Sequence, residues 1–135
     1  MLRILVIDDE TYVREALARV LKSQSVTVIG AEDAAAAFAA MRESAVDLVI
    51  IDVILPGMDG VAAIKRIRHD YPSVRIIAIS GGGNFGLTAY RPEAISTTAY
   101  LAASKVAGAD GTLAKPFETA ELRLLIDQLM AAERA

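Results

Sequence analysis

Residues 48–60 read LVIIDVILPGMDG, a run in which Asp52 stands alone among seven apolar residues and a Pro-Gly turn follows. A short, continuous β-branched run suits a strand covered on both faces, as in a parallel sheet. Taking a carboxylate out of water is costly unless something pairs with it. Asp52 is therefore either a cap at a strand end or the reactive group of a site, and the rest of the chain decides between the two.

Similar runs recur at residues 4–7, 26–29 and 75–79, with a weaker one at 111–114. Helical patterns lie between them. Val13, Leu17, Val20 and Leu21 fall at helical spacing, and residues 34–41 form an alanine-rich segment. Val61, Ile64 and Ile67 mark a third helix that His69, Asp70 and Pro72 bring to an end, and Leu122, Leu125, Ile126, Leu129 and Met130 mark the last. A fourth helix starts at Arg91-Pro92-Glu93, with proline in its first turn, and stops at Gly108. Its expected buried stripe is Ile95, Ala99, Ala102, Ala103 and Val106. Strand–helix alternation with apolar strands predicts an α/β domain: a five-stranded, doubly wound parallel sheet formed by residues 1–135 as a single domain. The glycine-rich SGGGNFG at residues 80–86 is the one candidate for a flexible loop.

Composition narrows the chemistry. Seventeen acidic residues against fourteen basic ones give a net charge of −3, no footprint for nucleic acid or an anionic membrane. With no cysteine and one histidine, His69, thiol catalysis, disulfides and zinc clusters are excluded. No apolar run approaches a membrane span, and the chain opens on a strand pattern rather than a signal peptide, so a cytoplasmic location is expected.

Each strand run ends in a polar group: the first in Asp8-Asp9-Glu10, the third in Asp52, the fourth in Ser80, and the fifth leads to Lys115-Pro116. In open α/β sheets, ligands bind beyond the carboxyl ends of the strands, where the strand order reverses. Neighbouring strands lie about 4.8 Å apart, so carboxylates on adjacent strands can share one cation. Three clustered carboxylates repel one another unless a divalent metal and the Lys115 ammonium balance them. Oxygen ligands without His or Cys favour a hard cation, and few protein ligands favour Mg²⁺ over Ca²⁺. A site of this make-up suits phosphoryl transfer, with Asp52 as nucleophile and Ser80 and Lys115 as donors to the transferred group.

The pieces ILVIDDE, LVIIDVILPGMDG, IIAIS and LAKPF, spread in this order over residues 4–117, resemble the receiver domain of two-component response regulators, of the stand-alone chemotaxis-regulator type. The resemblance implies a flavodoxin-like strand order of 2-1-3-4-5. It implies that Asp52 accepts phosphate from a histidine kinase or histidine phosphotransfer protein. Asp8, Asp9, Asp52 and the Ile54 backbone carbonyl would hold Mg²⁺. Ser80 would be the switch hydroxyl, Lys115 would pair with the carboxylate and then the phosphate, and Lys115-Pro116 would be a cis peptide. Pro56-Gly57 and Gly60 resemble the turn into the third helix. The protein would be a signalling phosphoacceptor rather than an enzyme, with a downstream protein target and no direct binding to DNA or membrane. A homodimer would use the face built from the fourth helix, fifth strand and fifth helix. Two departures stand out. Thr112 occupies the place of the family's usual switch aromatic, and the stretch from Ser80 to Lys115 is long, with residues 81–89 as an added loop before the fourth helix. The expected signalling element is therefore Ser80, that loop and the fourth helix.

The same residues admit plainer roles. Asp8, Asp9 and Ser80 could cap helices or turns; Glu10 is read as the start of the first helix, and His69 as a solvated residue near a helix end. Phe85, Tyr90 and Tyr100 mark either a partner surface or simple packing. The glycine run lacks the lysine-serine or lysine-threonine pair of a P-loop. A small phosphatase with an aspartyl-phosphate intermediate would show Asp-x-Asp after its first strand where this chain has Asp8-Asp9, and turnover of p-nitrophenyl phosphate distinguishes it. A phosphorylation-independent adaptor would have no need of the Asp/Asp/Asp/Ser/Lys set.

Overall fold

A computed structural model describes residues 1–55, 58–80 and 92–132, without the side chains of Leu55, Met58 and residues 92–98. The expected Pro56-Gly57 turn and the loop at 81–89, with Phe85 and Tyr90, lie outside the described residues. The chain runs β1 (Leu2–Ile7), α1 (Thr11–Leu21), β2 (Val26–Ala31), α2 (Ala34–Glu43), β3 (Leu48–Asp52), α3 (Gly60–Asp70), β4 (Arg75–Ser80), α4 (Pro92–Ala107), β5 (Gly111–Ala114) and α5 (Thr119–Ala131). A two-residue antiparallel pair, Ile54–Leu55 with Met58–Asp59, precedes α3. The five strands form one parallel sheet in the order 2-1-3-4-5, as the resemblance implied.

The strand sequences explain how the sheet is covered. Successive side chains point to opposite faces. Leu5, Ile7, Val49, Ile51, Ile76 and Ala78 therefore join one core with α2, α3 and α4. Ile4, Val6, Leu48, Ile50, Ile77 and Ile79 join the other with α1 and α5. Burial on both faces is why these strands read as unbroken apolar runs rather than alternating ones.

Local chemistry sets the helix ends. Asp33 caps α2 by accepting the Ala36 N–H, and Asp59 caps α3 by accepting the Val61 N–H. Gly108, at φ 131°, ends α4 in the left-handed region and donates its N–H to the Ser104 and Lys105 carbonyls. Gly60 sits so close to the preceding turn that a Cβ there would lie 2.3 Å from the Val53 carbonyl oxygen.

The expected inner stripe of α4 is a correction at four of its five positions, and the side chain of the fifth, Ile95, lies outside the described residues. Ala99, Ala102 and Ala103 are exposed and Val106 is 89% exposed, whereas Ser104 is fully buried and Leu101 and Ala107 pack on the core. Alanine occurs on both sides of this helix, so apolarity alone cannot tell which side faces inward. Ser104 is accommodated because its hydroxyl donates to the Tyr100 carbonyl one turn back.

At the rim opposite the strand carboxyl ends, Arg68 gathers four segments. It donates to the carbonyls of Pro72, Val74 and Gly108 and pairs with Asp110 at 2.7 Å, whose carboxylate also accepts the Ile76 N–H. Among the described residues no helix is long and apolar enough to cross a membrane.

This assignment of α4 predicts that Val106→Glu changes stability by no more than about 0.5 kcal/mol in urea unfolding. Leu101→Glu is expected to cost at least about 2 kcal/mol.

Candidate functional site

The order 2-1-3-4-5 places the switch point between β1 and β3. Ile7 lies opposite Ile51 in the register. The next residue on each strand is an aspartate, so Asp8 and Asp52 stand side by side at the carboxyl rim. On the other side of β3, Asp52 lies opposite Ile79, and Ser80 lies opposite Ala114. Lys115 follows directly, with its N–H donated to the Ser80 carbonyl and a cis peptide to Pro116.

Carboxylate oxygens of Asp8, Asp9 and Asp52 come within 4.8 Å of one another. Asp8 is buried, Asp52 half-buried and Asp9 exposed. The Asp52 carboxylate is held in two ways: Oδ1 accepts the Ile54 N–H at 2.9 Å, and Oδ2 accepts from Lys115 Nζ at 3.0 Å. Lys115 Nζ also stands 3.7 Å from Asp8 Oδ2. Asp8 Oδ1 accepts the Glu10 N–H, a local turn ahead of α1, whose N-cap is Glu10 with no side-chain cap. Glu10 opens α1 through its backbone, its carbonyl accepting from Val13 and Arg14.

Electrostatics follow from this crowding. Burial pushes the Asp8 carboxyl above its ordinary range. The Glu10 N–H and Lys115 pull it down, while Asp52 and Asp9 add to the rise. Burial alone would push the Lys115 ammonium down, but the charge and hydrogen bond of Asp52, helped by Asp8 and Glu10, hold it above its ordinary value. An apolar cavity of about 160 Å³, lined by Asp8, Asp52 and Lys115 together with Val6, Val13 and Phe117, adjoins these groups.

Ser80 is fully buried, and its hydroxyl has no hydrogen-bond partner among the described residues. A buried hydroxyl left in that state costs about 1–3 kcal/mol. Thr112 lies on β5 opposite Ala78 and is half-buried. His69 is exposed at the end of α3, as expected, with its ring against Asp70.

The family described as the response regulator receiver domain matches residues 4–127. The chain belongs to this family. Receiver domains are phosphoacceptors of two-component signalling, bind Mg²⁺ through acidic residues, and interact with histidine kinases and downstream effectors. Among curated proteins, this receiver domain is similar to the probable transcriptional regulatory protein TcrX of Mycobacterium tuberculosis (strain ATCC 25618 / H37Rv). The two are 27% identical over 127 residues, covering 94% of this chain and 49% of TcrX. The chain spans about half or less of the length of the curated relatives it matches. Among solved structures, it resembles the signal receiver domain of an HD domain-containing protein from Pseudomonas fluorescens Pf-5. There the TM-score is 0.80 and the identity 27%, covering 96% of this chain and 94% of that one. It also resembles the response regulator TrrA of Thermotoga maritima, solved in complex with Mg(2+)-BeF. That TM-score is 0.73 and the identity 28%, covering 96% and 99%.

One contact at the rim had no signature in the sequence. Arg14 of α1 donates from Nη1 to the Asp8 carbonyl at 2.7 Å and from Nη2 to Thr11 Oγ1 at 3.2 Å. A side chain bound to a backbone carbonyl leaves no periodic pattern, so the contact appears only in the folded receiver domain.

The raised Asp8 carboxyl carries a stability consequence with a definite sign. The folded state holds the Asp8 proton more tightly than the unfolded chain does, so the stability this proton brings is full below the ordinary carboxylate value and is lost as the pH rises from there through the folded-state value. Metal-free Asp8→Asn is therefore expected to be more stable than wild type at neutral pH. That advantage should fade as the pH falls toward the ordinary carboxylate range, which urea unfolding at several pH values would register.

Proposed function

We propose that this receiver domain, residues 1–135, is a Mg²⁺-dependent phosphoacceptor in which Asp52 takes the phosphoryl group from a phosphohistidine. The observation that carries this reading is the Asp52 carboxylate, fixed by Ile54 and Lys115 and within 4.8 Å of two further carboxylates. An Asp52 oxygen attacks phosphorus; the P–N bond breaks, and its electron pair goes to the departing imidazole nitrogen. The product is a mixed anhydride of Asp52 and phosphate.

The other residues have defined parts. Asp8, Asp9, Asp52 and the Ile54 carbonyl would hold Mg²⁺, a hard, all-oxygen donor set suited to that ion. Bound there, Mg²⁺ supplies charge neutralisation of the phosphoryl oxygens. Lys115 gives up part of its hold on Asp52 and donates to a phosphoryl oxygen. Ser80, whose hydroxyl has no partner to lose among the described residues, is the second donor. The solved complex of TrrA with Mg(2+)-BeF supports the pairing of this fold with that ion.

Phosphorylation adds about −1.5 to −2 charges by analogy with phosphoserine. Drawing the Ser80 hydroxyl toward this charge shifts the strand end from which the chain leads to α4, and the position of α4 then reports the state to partners. Exposed Tyr100 and Val106 on α4 and Leu124 on α5 suit a surface read by a downstream protein or a second copy.

Incubation with acetyl phosphate and Mg²⁺, followed by intact-mass analysis, is expected to show one phosphate adduct on wild type and none on Asp52→Asn. An adduct that survives in Asp52→Asn would overturn the assignment of the acceptor. Hydrogen exchange with beryllofluoride and Mg²⁺ is expected to change across α4, and unchanged protection there would overturn the switch.

A further inference from the structure

The Arg14 contact reaches further than the packing of α1. Its guanidinium grips the carbonyl of Asp8, which belongs to the same peptide unit as the Asp9 N–H. That peptide sets where both carboxylates leave the backbone. Asp8 has the Glu10 N–H to steady its side chain, but the Asp9 carboxylate accepts no hydrogen bond among the described residues. Three like charges within 4.8 Å repel, and a turn of this peptide would carry the Asp9 carboxylate away from the other two. A short, charge-assisted bond to the carbonyl opposes that rotation.

Gly30 on β2 completes the arrangement. The Arg14 stem crosses it so closely that a Cβ would lie 3.3 Å from Cδ and 3.5 Å from Nε. Gly30 is exposed and pairs with Val6 of β1, so its missing side chain leaves an open track beside the strand that delivers Asp8. Through this bond Arg14 acts on the backbone that carries both Asp8 and Asp9.

We propose that Arg14, running over Gly30, is a positioning residue for the divalent-cation site, holding the Asp8–Asp9 peptide so that both carboxylates converge with Asp52. This rests on the reading of Asp8, Asp9 and Asp52 as that site.

Direct titration of the metal-free chain with Mg²⁺ by calorimetry, beside the Mg²⁺ dependence of phosphorylation by acetyl phosphate, tests it. Arg14→Ala is expected to weaken Mg²⁺ binding about ten- to a hundredfold, the usual size of an outer-shell loss. Its phosphorylation rate at saturating Mg²⁺ should stay near wild type. Arg14→Lys should recover part of the affinity, because an ammonium can still donate to the carbonyl. Gly30→Val, which displaces the stem without entering the core, should weaken binding in wild type and add nothing to Arg14→Ala; it also serves if Arg14→Ala does not fold. Wild-type Mg²⁺ affinity in folded Arg14→Ala, or additive effects of the two changes, would overturn the positioning role. Asp9→Asn separates the two layers: if it binds Mg²⁺ as wild type does, the site reading itself falls. If it loses binding while Arg14→Ala keeps it, only the role of Arg14 falls.

Discussion

Everything at the carboxyl rim depends on keeping three carboxylates close together without letting their repulsion open the fold. Asp8, Asp9 and Asp52 have oxygens within 4.8 Å of one another, and Asp8 is buried. The parallel register forces this proximity: with Ile7 opposite Ile51, the following residues cannot lie elsewhere. The Lys115 ammonium at 3.0 Å from Asp52 offsets part of the repulsion, and two backbone N–H groups, from Glu10 and Ile54, offset more. What remains uncompensated is the negative charge that the proposed Mg²⁺ would balance. Charge strain in the metal-free protein and function in the loaded one are two sides of the same arrangement.

The sheet carries that strain because its centre is so well covered. Leu48, Val49, Ile50 and Ile51 of β3 are at most 1% exposed, and β4 beside it is apolar from Ile76 to Ile79. Strands this deeply packed do not splay to relieve electrostatic stress at their tips. At the opposite rim the Arg68–Asp110 pair ties the α3 end and the start of β4 to the α4–β5 turn. The fold is thus fixed at one end and charged at the other. That polarity suits the proposed switch, in which the charged rim moves while the opposite rim stays fixed.

Much of this was legible in the sequence, for identifiable reasons. Both-face burial writes itself as unbroken runs such as LVII, and a rim site writes itself as polar residues that end those runs. Asp8, Asp52, Ser80 and Lys115 stand together at the rim for that reason, and Glu10 precedes α1 as its N-cap. The inner face of α4 was not legible, because alanine populates both sides and the buried residue of its last turn is Ser104, which satisfies its hydroxyl within the helix. Arg14 and Gly30 were not legible either. Their contact joins a side chain to a carbonyl six residues back and to the open face of another strand, so neither partner predicts the other.

The most direct test of the central claim is to ask where a cation sits. With ¹⁵N-labelled protein and Mn²⁺ in place of Mg²⁺, the amide signals of residues 8–10, 52–54 and 115 should broaden first, and Asp52→Asn should require more Mn²⁺ for the same effect. Broadening spread over surface acids such as Glu32 and Glu43, with residues 8–10 and 52–54 untouched, would contradict the account.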